Sequence, residues 1–223
     1  MSLNSVLFLT QKYEKGAVDL EYCREMSSHL SEKEIDSHMV CFGGNEKDWE
    51  ENELNVHEFS FKLDGDNYFS WAMLIQTEFL RKIKELVRIE DVSLLHANEW
   101  ATVPAGLVAS KLYDIPLIIT YHSIEEERGM NMPHSGHISE LERQGLEKAS
   151  YILVHSETTR EALDVYDMPE GKVKLIKREN GWREKIWEIY KHLAKVHRNN
   201  KKMRATEGAK NENFDAYVGV SSS

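Results

Sequence analysis

The sequence lacks several features that define whole classes of protein. Two cysteines in 223 residues exclude a disulfide framework, and Cys23 and Cys41 have no metal-ligand spacing. An uninterrupted apolar run of about 20 residues, which a membrane span requires, is also absent. The first apolar run, before Gln11, is too short for a signal peptide. We therefore expect a cytoplasmic protein with buried free thiols and no contact with a membrane.

Glycine is sparse where nucleotide-binding loops need it. The loop Gln11–Gly16, between the first predicted strand and the first predicted helix, carries one glycine. It therefore lacks the glycine cluster of a dinucleotide-binding loop, and the chain has neither a Walker loop nor a nucleophile elbow. The start of the next helix still favours an anion, because its free N–H groups point outward. An ordinary tight turn is the alternative interpretation.

Charge is distributed unevenly along the chain. The formal net charge is −10, but residues 177–223 hold eleven Lys or Arg against six Asp or Glu, which leaves −15 for residues 1–176. A basic segment of this kind can contact nucleic acid. We favour a basic helix lying against an acidic domain, because interleaved aromatic residues and nucleic-acid motifs are missing.

Apolar runs alternate with helical patterns over most of the chain. Val92–His96 and Pro116–Tyr121 read as buried strands, and Val103–Tyr113 carries an apolar stripe at helical spacing. Two continuous apolar strands that flank an amphipathic helix indicate a parallel βαβ unit. The same alternation across residues 5–176 predicts an α/β fold with a doubly wound, mostly parallel, Rossmann-like sheet.

Three stretches depart from this simple alternation. The charged stretch Asn45–Asn55 is predicted as a loop, and Tyr68–Val87 as one long helix. Trp182–Val196 is a helix with one apolar side, followed by a polar segment without periodicity. We divide the chain accordingly into a Rossmann-like domain (1–176), a C-terminal helix that packs back on it (177–198), and a disordered basic and polar tail (199–223).

Residues that can bind ligands or transfer protons follow two of the predicted strands. Asn98, Glu99 and Trp100 come after the first strand of the βαβ unit, and His122 follows the second. In an open parallel sheet, ligands bind outside the carboxyl ends of the strands, so these residues predict one site. The structural alternative is that Asn98 caps a turn, Trp100 packs on the helix and His122 is a loop histidine.

Four stretches resemble, in order, the N-terminal half of glycogen and starch synthases: HANEWATVPAGLVASKL, TYHSIEEERG, HISELERQGLEKASYILVHSETTREAL and MPEGKVKLI. The resemblance covers most of residues 5–176. These enzymes are retaining glycosyltransferases of the two-domain GT-B type. Their N-terminal Rossmann-like domain binds the acceptor, and a second Rossmann-like domain binds the nucleotide-sugar.

The resemblance implies a set of substrate-binding residues. His122 matches the histidine after the T-x-H strand, which approaches the donor hexose in the family. Glu99 and Asn98 fall on the Asp and the second His of the H-x-H-D-W sequence, so both are substitutions, and Trp100 completes this segment. Lys15 and Gly16 are what remains of a first loop that meets the donor phosphates with Lys and two glycines. No catalytic residue, metal or cofactor is assigned.

The resemblance also implies what the chain needs for activity. After Ile176, NGWREKIWEIYKHLAKV resembles the last helix of these enzymes, and the second domain with its pyrophosphate-binding residues has no counterpart. We expect glucosyl transfer from a nucleotide-sugar substrate, ADP-glucose or UDP-glucose, to a glucan or a small sugar. The expected partner is a separate donor-binding glycosyltransferase chain, without which the chain is inactive. The alternative is a non-catalytic glucan- or nucleotide-binding domain, or a degenerate remnant that forms a homodimer.

Overall fold

The apolar runs pair into one sheet of eight strands. The computed structural model describes residues 3–62, 65–131, 133–166, 168–169 and 171–218, with the backbone alone for residues 205–218. Strand order across the sheet is β3-β4-β2-β1-β5-β6-β7-β8, with only β3 antiparallel to its neighbour. The strands are β1 (Ser5–Lys12), β2 (Asp36–Phe42), β3 (Lys47–Glu51), β4 (Leu54–Phe59), β5 (Val92–Asn98), β6 (Leu117–Tyr121), β7 (Tyr151–Val154) and β8 (Val173–Leu175).

Helices connect the strands and cover both faces of the sheet. They are α1 (Val18–Ser31), α2 (Tyr68–Leu74), α3 (Gln76–Ile89), α4 (Val103–Tyr113), α5 (Ser135–Lys148), α6 (Glu157–Ala162) and α7 (Trp182–Val218). Asn67 and Ser156 cap α2 and α6, because the side chain of each accepts a backbone N–H three residues further on. Gly145 lets α5 lie close to the sheet, since a Cβ there would be 2.4 Å from the Tyr121 hydroxyl.

Burial of the sheet on both faces explains why its strands read as continuous apolar runs. Along β1, Leu7 and Leu9 face the core under α3, α4 and α5, whereas Val6 and Phe8 face the core under α1 and α7. Alternate side chains of a strand point to opposite faces, so both sets have to be apolar when both faces are covered. The predicted doubly wound α/β fold is therefore confirmed.

The strand order reverses at β1, and this point positions the site. The chain runs from β1 outward to β2 on one side, and it later returns to place β5 on the other side of β1. The loops that follow β1 and β5 therefore diverge to opposite faces of the sheet and leave a crevice between them. Residues that follow these strands lie at the edge where open α/β sheets bind ligands.

The stretch Asn45–Asn55, predicted as a loop, instead contains the edge strand β3. Trp49 of β3 lies opposite Val56 of β4, and the turn between the strands has positive φ at Asn52 (49°) and Glu53 (61°). The prediction was wrong because an exposed edge strand needs ladder hydrogen bonds but no apolar run.

The stretch Tyr68–Val87, predicted as one helix, is divided into α2 and α3 at Ile75. The side-chain amide of Gln76 donates to the carbonyls of Ala72 (2.6 Å) and Ala101 (2.8 Å), which ties this break to the turn before α4. The apolar period continues across Ile75, so the sequence pattern alone carries no sign of the break.

The first turns of α7 pack on the α1 side of the sheet. Ile186 and Tyr190 are fully buried there, and Trp182 and Leu193 are nearly so. Asp114, after α4, is contacted by three residues on the basic side of this helix. Nε2 of His197 lies 2.8 Å from its backbone carbonyl oxygen, and Lys201 (3.6 Å) and Arg204 (3.7 Å) form ion pairs with its carboxylate. The boundaries of the three-part division at residues 176 and 198 stay a prediction.

The helix also continues beyond its predicted end. Residues from 199 onward were predicted as a disordered tail, but α7 extends to Val218, and residues 219–223 lie outside the described residues. Lys, Arg, Ala and Glu favour helix without any apolar face, so loss of apolar periodicity does not end a helix. No helix in the described part of the chain has the length and apolar composition needed to cross a membrane.

We predict that Ile186→Ala destabilises the protein by about 2–5 kcal/mol, because it leaves a cavity under a fully buried side chain. Urea denaturation followed by circular dichroism measures the loss. Met203→Ala, at an exposed position of the same helix, is the control and should change stability by less than about 0.5 kcal/mol. Equal small losses in both variants would mean that α7 does not pack on the sheet in solution.

Candidate functional site

Three adjacent parallel strands end in residues that carry chemistry. Glu99 follows β5, His122 follows β6 and His155 follows β7. Because β5, β6 and β7 are neighbours in the sheet, the three residues meet at its carboxyl edge. The first two were predicted to share a site, and the structure brings them into direct contact.

That contact joins the two loops. The backbone N–H of His122 donates to Oε1 of Glu99 at 2.6 Å. Glu99 has φ 63° and ψ 161°, a conformation that side-chain-bearing residues rarely adopt. Strained backbone of this kind persists only where surrounding contacts hold it, and it is concentrated at functional sites. The hydrogen bond to His122 is one such contact.

The Glu99 carboxyl holds a proton unusually well. Burial raises its pKa to about 8, although the His122 N–H and the Arg128 guanidinium act in the opposite direction. A carboxyl that titrates near neutral pH can give or take a proton during a reaction. Glu99 is therefore a candidate for acid–base chemistry at this edge.

His122 is held in its neutral form. Burial lowers the pKa of its imidazole to about 3, and the neighbouring His155 and Arg178 lower it further by repulsion. Its Nε2 is buried with no hydrogen-bond partner among the described residues. The ring lies edge-on to Tyr22 of α1 (centroids 6.0 Å apart) and 5.4 Å from His155. A half-buried, neutral imidazole can exchange hydrogen bonds with a sugar hydroxyl without carrying charge.

His96 has a structural role one layer below. Its Nδ1 contacts the Tyr190 hydroxyl of α7 at 2.5 Å, and its Nε2 contacts the Thr120 hydroxyl of β6 at 2.7 Å. Both ring nitrogens are thus engaged inside the protein, and burial lowers the pKa of this imidazole to about 3. His96 therefore connects α7 to the middle of the sheet.

Trp100 forms the wall of a cavity beside Glu99. Its ring is nearly buried and stacks on Phe69 of α2, with 6.0 Å between centroids. The cavity has a volume of about 380 Å³ and is also lined by Tyr68 and Ile138. The Tyr68 hydroxyl donates to Gln11 near the end of β1, so the cavity adjoins the loop that follows β1.

An ion-pair network underlies this cavity. Arg128 lies between Glu125 (2.9 Å) and Glu142 (3.0 Å), and both oxygens of Glu142 accept the backbone N–H of Glu125. Burial raises the pKa of the Glu142 carboxyl to about 7, which the Glu125 N–H and Arg128 partly offset. The network holds the loop after β6 against α5.

The remaining predicted site residues lie in different environments. Asn98 is fully buried under α1, where its amide donates to the Leu9 carbonyl (3.2 Å) and to Sγ of Cys23 (3.6 Å). It therefore connects β5 to β1, and a direct contact with substrate stays a prediction. Lys15 and Gly16 lie exposed in the loop between β1 and α1, where Gly16 has φ 85°. Their role with phosphates also stays a prediction.

Sequence reasoning missed several residues of this edge. His155 could have been found, because it follows a predicted strand in the same way as His122. Tyr22, Tyr68 and Arg128 carried no usable signal, since each reaches the site from a separate element. Within the residues that the structure describes, no group of three metal-ligating side chains comes together.

The fold and this edge define an α/β domain with a candidate site at the carboxyl ends of β5 and β6. The chain belongs to Glycosyltransferase Family 4, which it matches over residues 21–178. The prediction that the chain is a glycosyltransferase domain of the GT-B N-terminal type is thereby confirmed, whereas its likeness to glycogen and starch synthases in particular stays a prediction. A comparison with curated proteins finds no match.

Solved structures show the same fold. A structure of sucrose-phosphate synthase (tll1590) from Thermosynechococcus elongatus, designated 27_220_406_426, has 14% identity and a TM-score of 0.63, over 86% of this chain and 99% of that one. A second structure of that protein has 16% identity and a TM-score of 0.63, over 78% of this chain and 48% of that one. HepE from Anabaena, in complex with UDP and glucose, has 16% identity and a TM-score of 0.54, over 78% and 44%. This chain thus spans less than half of the last two.

We predict that the stability of the protein falls between about pH 6 and about pH 8.5, and that Glu99→Gln reduces this fall. The raised pKa of Glu99 means that the folded state binds its proton more tightly than the unfolded chain does. The contribution of the bound proton to stability is complete below the pKa of a glutamate in the unfolded chain, about 4.3. It is lost as the pH rises through the pKa of Glu99 in the folded state.

Urea midpoints at the two pH values measure the effect. Glu142, whose pKa is also raised, should leave part of the fall in the variant. Glu161→Gln, at an exposed position of α6, should keep the wild-type dependence. An unchanged fall in Glu99→Gln would contradict the assignment.

Proposed function

We propose that this chain is the acceptor-side half of a GT-B glycosyltransferase and acts together with a separate donor-binding chain. The observation that carries the proposal is the Glu99–His122 contact at the carboxyl edge of a family 4 domain. It places a proton-holding carboxyl beside a neutral imidazole on two neighbouring strands. Transfer of a sugar to a hydroxyl needs groups of this kind, because the hydroxyl loses its proton as the new bond forms.

Each predicted site residue has a role in this proposal. His122 hydrogen-bonds the donor sugar, as the resemblance to glycogen and starch synthases implies. In its ionised form, Glu99 accepts the proton of the acceptor hydroxyl, and Trp100 forms part of the wall that holds the acceptor. Lys15 and Gly16 approach the donor phosphates. Asn98 supports the strand end from below.

The need for a partner follows from charge. The leaving nucleotide carries phosphate charge that cationic groups must stabilise in the transition state. Near the Glu99–His122 pair, Arg128 forms ion pairs with two carboxylates and Arg178 with Glu25, so we assign Lys15 to the donor. A second chain would supply the missing cations and close the cleft against water.

The lengths of the similar structures support this division. The chain spans 99% of the sucrose-phosphate synthase structure designated 27_220_406_426 and 48% of the other. Coverage of about half of the longer structure is what we expect of one domain of a two-domain enzyme.

The donor and the acceptor are the finer parts of the proposal. ADP-glucose and UDP-glucose are the donors to test first, and HepE of Anabaena has been solved with UDP and glucose. A glucan is the acceptor that the resemblance to glycogen and starch synthases implies. The cytoplasmic location expected from the sequence stays a prediction.

We predict that the purified chain alone transfers no labelled glucose from UDP-glucose or ADP-glucose to glycogen. Addition of a candidate chain that carries the family's donor-binding domain should produce transfer. Robust incorporation by the chain alone would contradict the need for a partner. Glycogen or nucleotide binding without transfer, with every donor chain tried, would favour the non-catalytic alternative.

We also predict that His122→Ala lowers the kcat of the complemented enzyme roughly 10²-fold, as loss of one transition-state hydrogen bond does. The melting temperature should change little, because the imidazole Nε2 has no partner among the described residues. His192→Ala, at an exposed position of α7, is the control and should keep full activity. Unfolding of His122→Ala would instead indicate a structural histidine.

A further inference from the structure

The cavity beside Glu99 is lined mainly by rings and aliphatic groups. Phe69 is stacked with the rings of Trp100 (6.0 Å, 19°), His134 (5.3 Å, 14°) and His137 (5.5 Å, 28°). Tyr68 stands edge-on to Trp100 at 5.7 Å and 77°. Ile138 of α5 is part of the same lining. The stacked rings support one another, so the walls of the cavity are preformed.

Most polar groups of the lining are already engaged within the protein. All three nitrogens of Arg128 donate: Nε to Glu125 at 3.0 Å, Nη1 to the Ser123 hydroxyl at 2.8 Å, and Nη2 to Glu142 at 3.0 Å. Glu125 accepts from the Ser135 hydroxyl with its other oxygen, at 2.5 Å. Oδ1 of Asn67 caps α2, and the Tyr68 hydroxyl donates to Gln11.

This arrangement selects against a ligand that presents many hydroxyls. A glucan in the cavity would leave water and find few free partners for its hydroxyls, and buried polar groups without partners are unfavourable. An apolar ring would gain from the same walls, because it loses only water contacts. The volume of about 380 Å³ falls in the usual range of small-molecule pockets.

We propose that this cavity binds an apolar or aromatic ring, so that a compound carrying such a ring together with a hydroxyl is a better acceptor than a bare glucan. That the bound compound is an acceptor rests on the proposed function, whereas the preference of the cavity for a ring follows from its lining alone. Trp100 directly follows Glu99 in the chain. Neither Glu99 nor His122 lines the cavity, so Trp100 is the residue through which a ring bound there would adjoin the Glu99–His122 pair.

Binding of two probes tests the proposal without any transfer step. Isothermal titration of the full chain with 2-naphthol and with maltopentaose should give at least tenfold tighter binding of 2-naphthol. Tyr68→Ala and Phe69→Leu should each weaken the binding of 2-naphthol about tenfold. Ile89→Ala, an exposed apolar position at the end of α3, is the matched control and should bind as the wild type does.

Tyr68 is largely exposed, so its variant should keep the wild-type melting temperature, and a loss of binding there would report the cavity. Tighter binding of maltopentaose, binding of neither probe, or unchanged 2-naphthol binding in both variants would each overturn the proposal. Transfer to glycogen by the complemented enzyme, without ring binding, would overturn this proposal and support the proposed function. If 2-naphthol binds in the cavity but no donor chain produces transfer, the ring preference of the cavity is supported and the proposed function is contradicted.

Discussion

A parallel sheet has to be covered on both of its faces, and this constraint explains most of the structure. Helices α3, α4 and α5 pack on one face, whereas α1 packs on the other face over β1, β2 and β4. The apolar side chains of β5, β6 and β7 on that face, Leu94, Ile118 and Leu153, join the core that contains Ile186 and Tyr190 of α7. The C-terminal helix therefore completes the sheet, and without it three strands would expose an apolar face to water.

The same burial determines the chemistry at the carboxyl edge. Side chains placed there by neighbouring strands are packed between α1, α7 and the loop after β6, and the removal of water disfavours their charged forms. The imidazoles of His96 and His122 therefore stay neutral, and Glu99 keeps its proton to about neutral pH. One physical cause gives both a neutral hydrogen-bonding group and a group that can exchange a proton.

The edge contains two kinds of surface. The Glu99–His122 pair is polar and lies where strands β5 and β6 end, whereas the cavity against Trp100 and Phe69 is mainly apolar and has most of its polar groups engaged internally. In the proposed transferase, binding of the acceptor and activation of its hydroxyl would depend on different residues. The family match spans both surfaces, and the preference for a ring-bearing acceptor is inferred from the lining of the cavity.

The sequence by itself determined the fold class and the edge of the sheet at which the candidate site residues lie. Continuous apolar runs at Val92–His96 and Pro116–Tyr121 require a sheet buried on both faces, and residues after such strands must lie at one edge. For this reason Glu99 and His122 could be assigned together before any coordinates. Their hydrogen bond and their shifted pKa values could not be predicted, because both depend on burial by α1 and α7 and on the charge of Arg128 at that edge.

Only the tertiary structure decided the features that depend on contacts between distant segments. Strand β3 forms because its backbone hydrogen-bonds to β4, although most of its residues are charged. The break at Ile75 is held by the hydrogen bond from the Gln76 side chain to the Ala101 carbonyl. Burial of Asn98 and the cavity formed by Tyr68, Phe69 and Trp100 likewise join residues from separate elements. Periodicity reports which side of an element is apolar, whereas a pocket depends on which elements meet, and that is settled by packing of the whole chain.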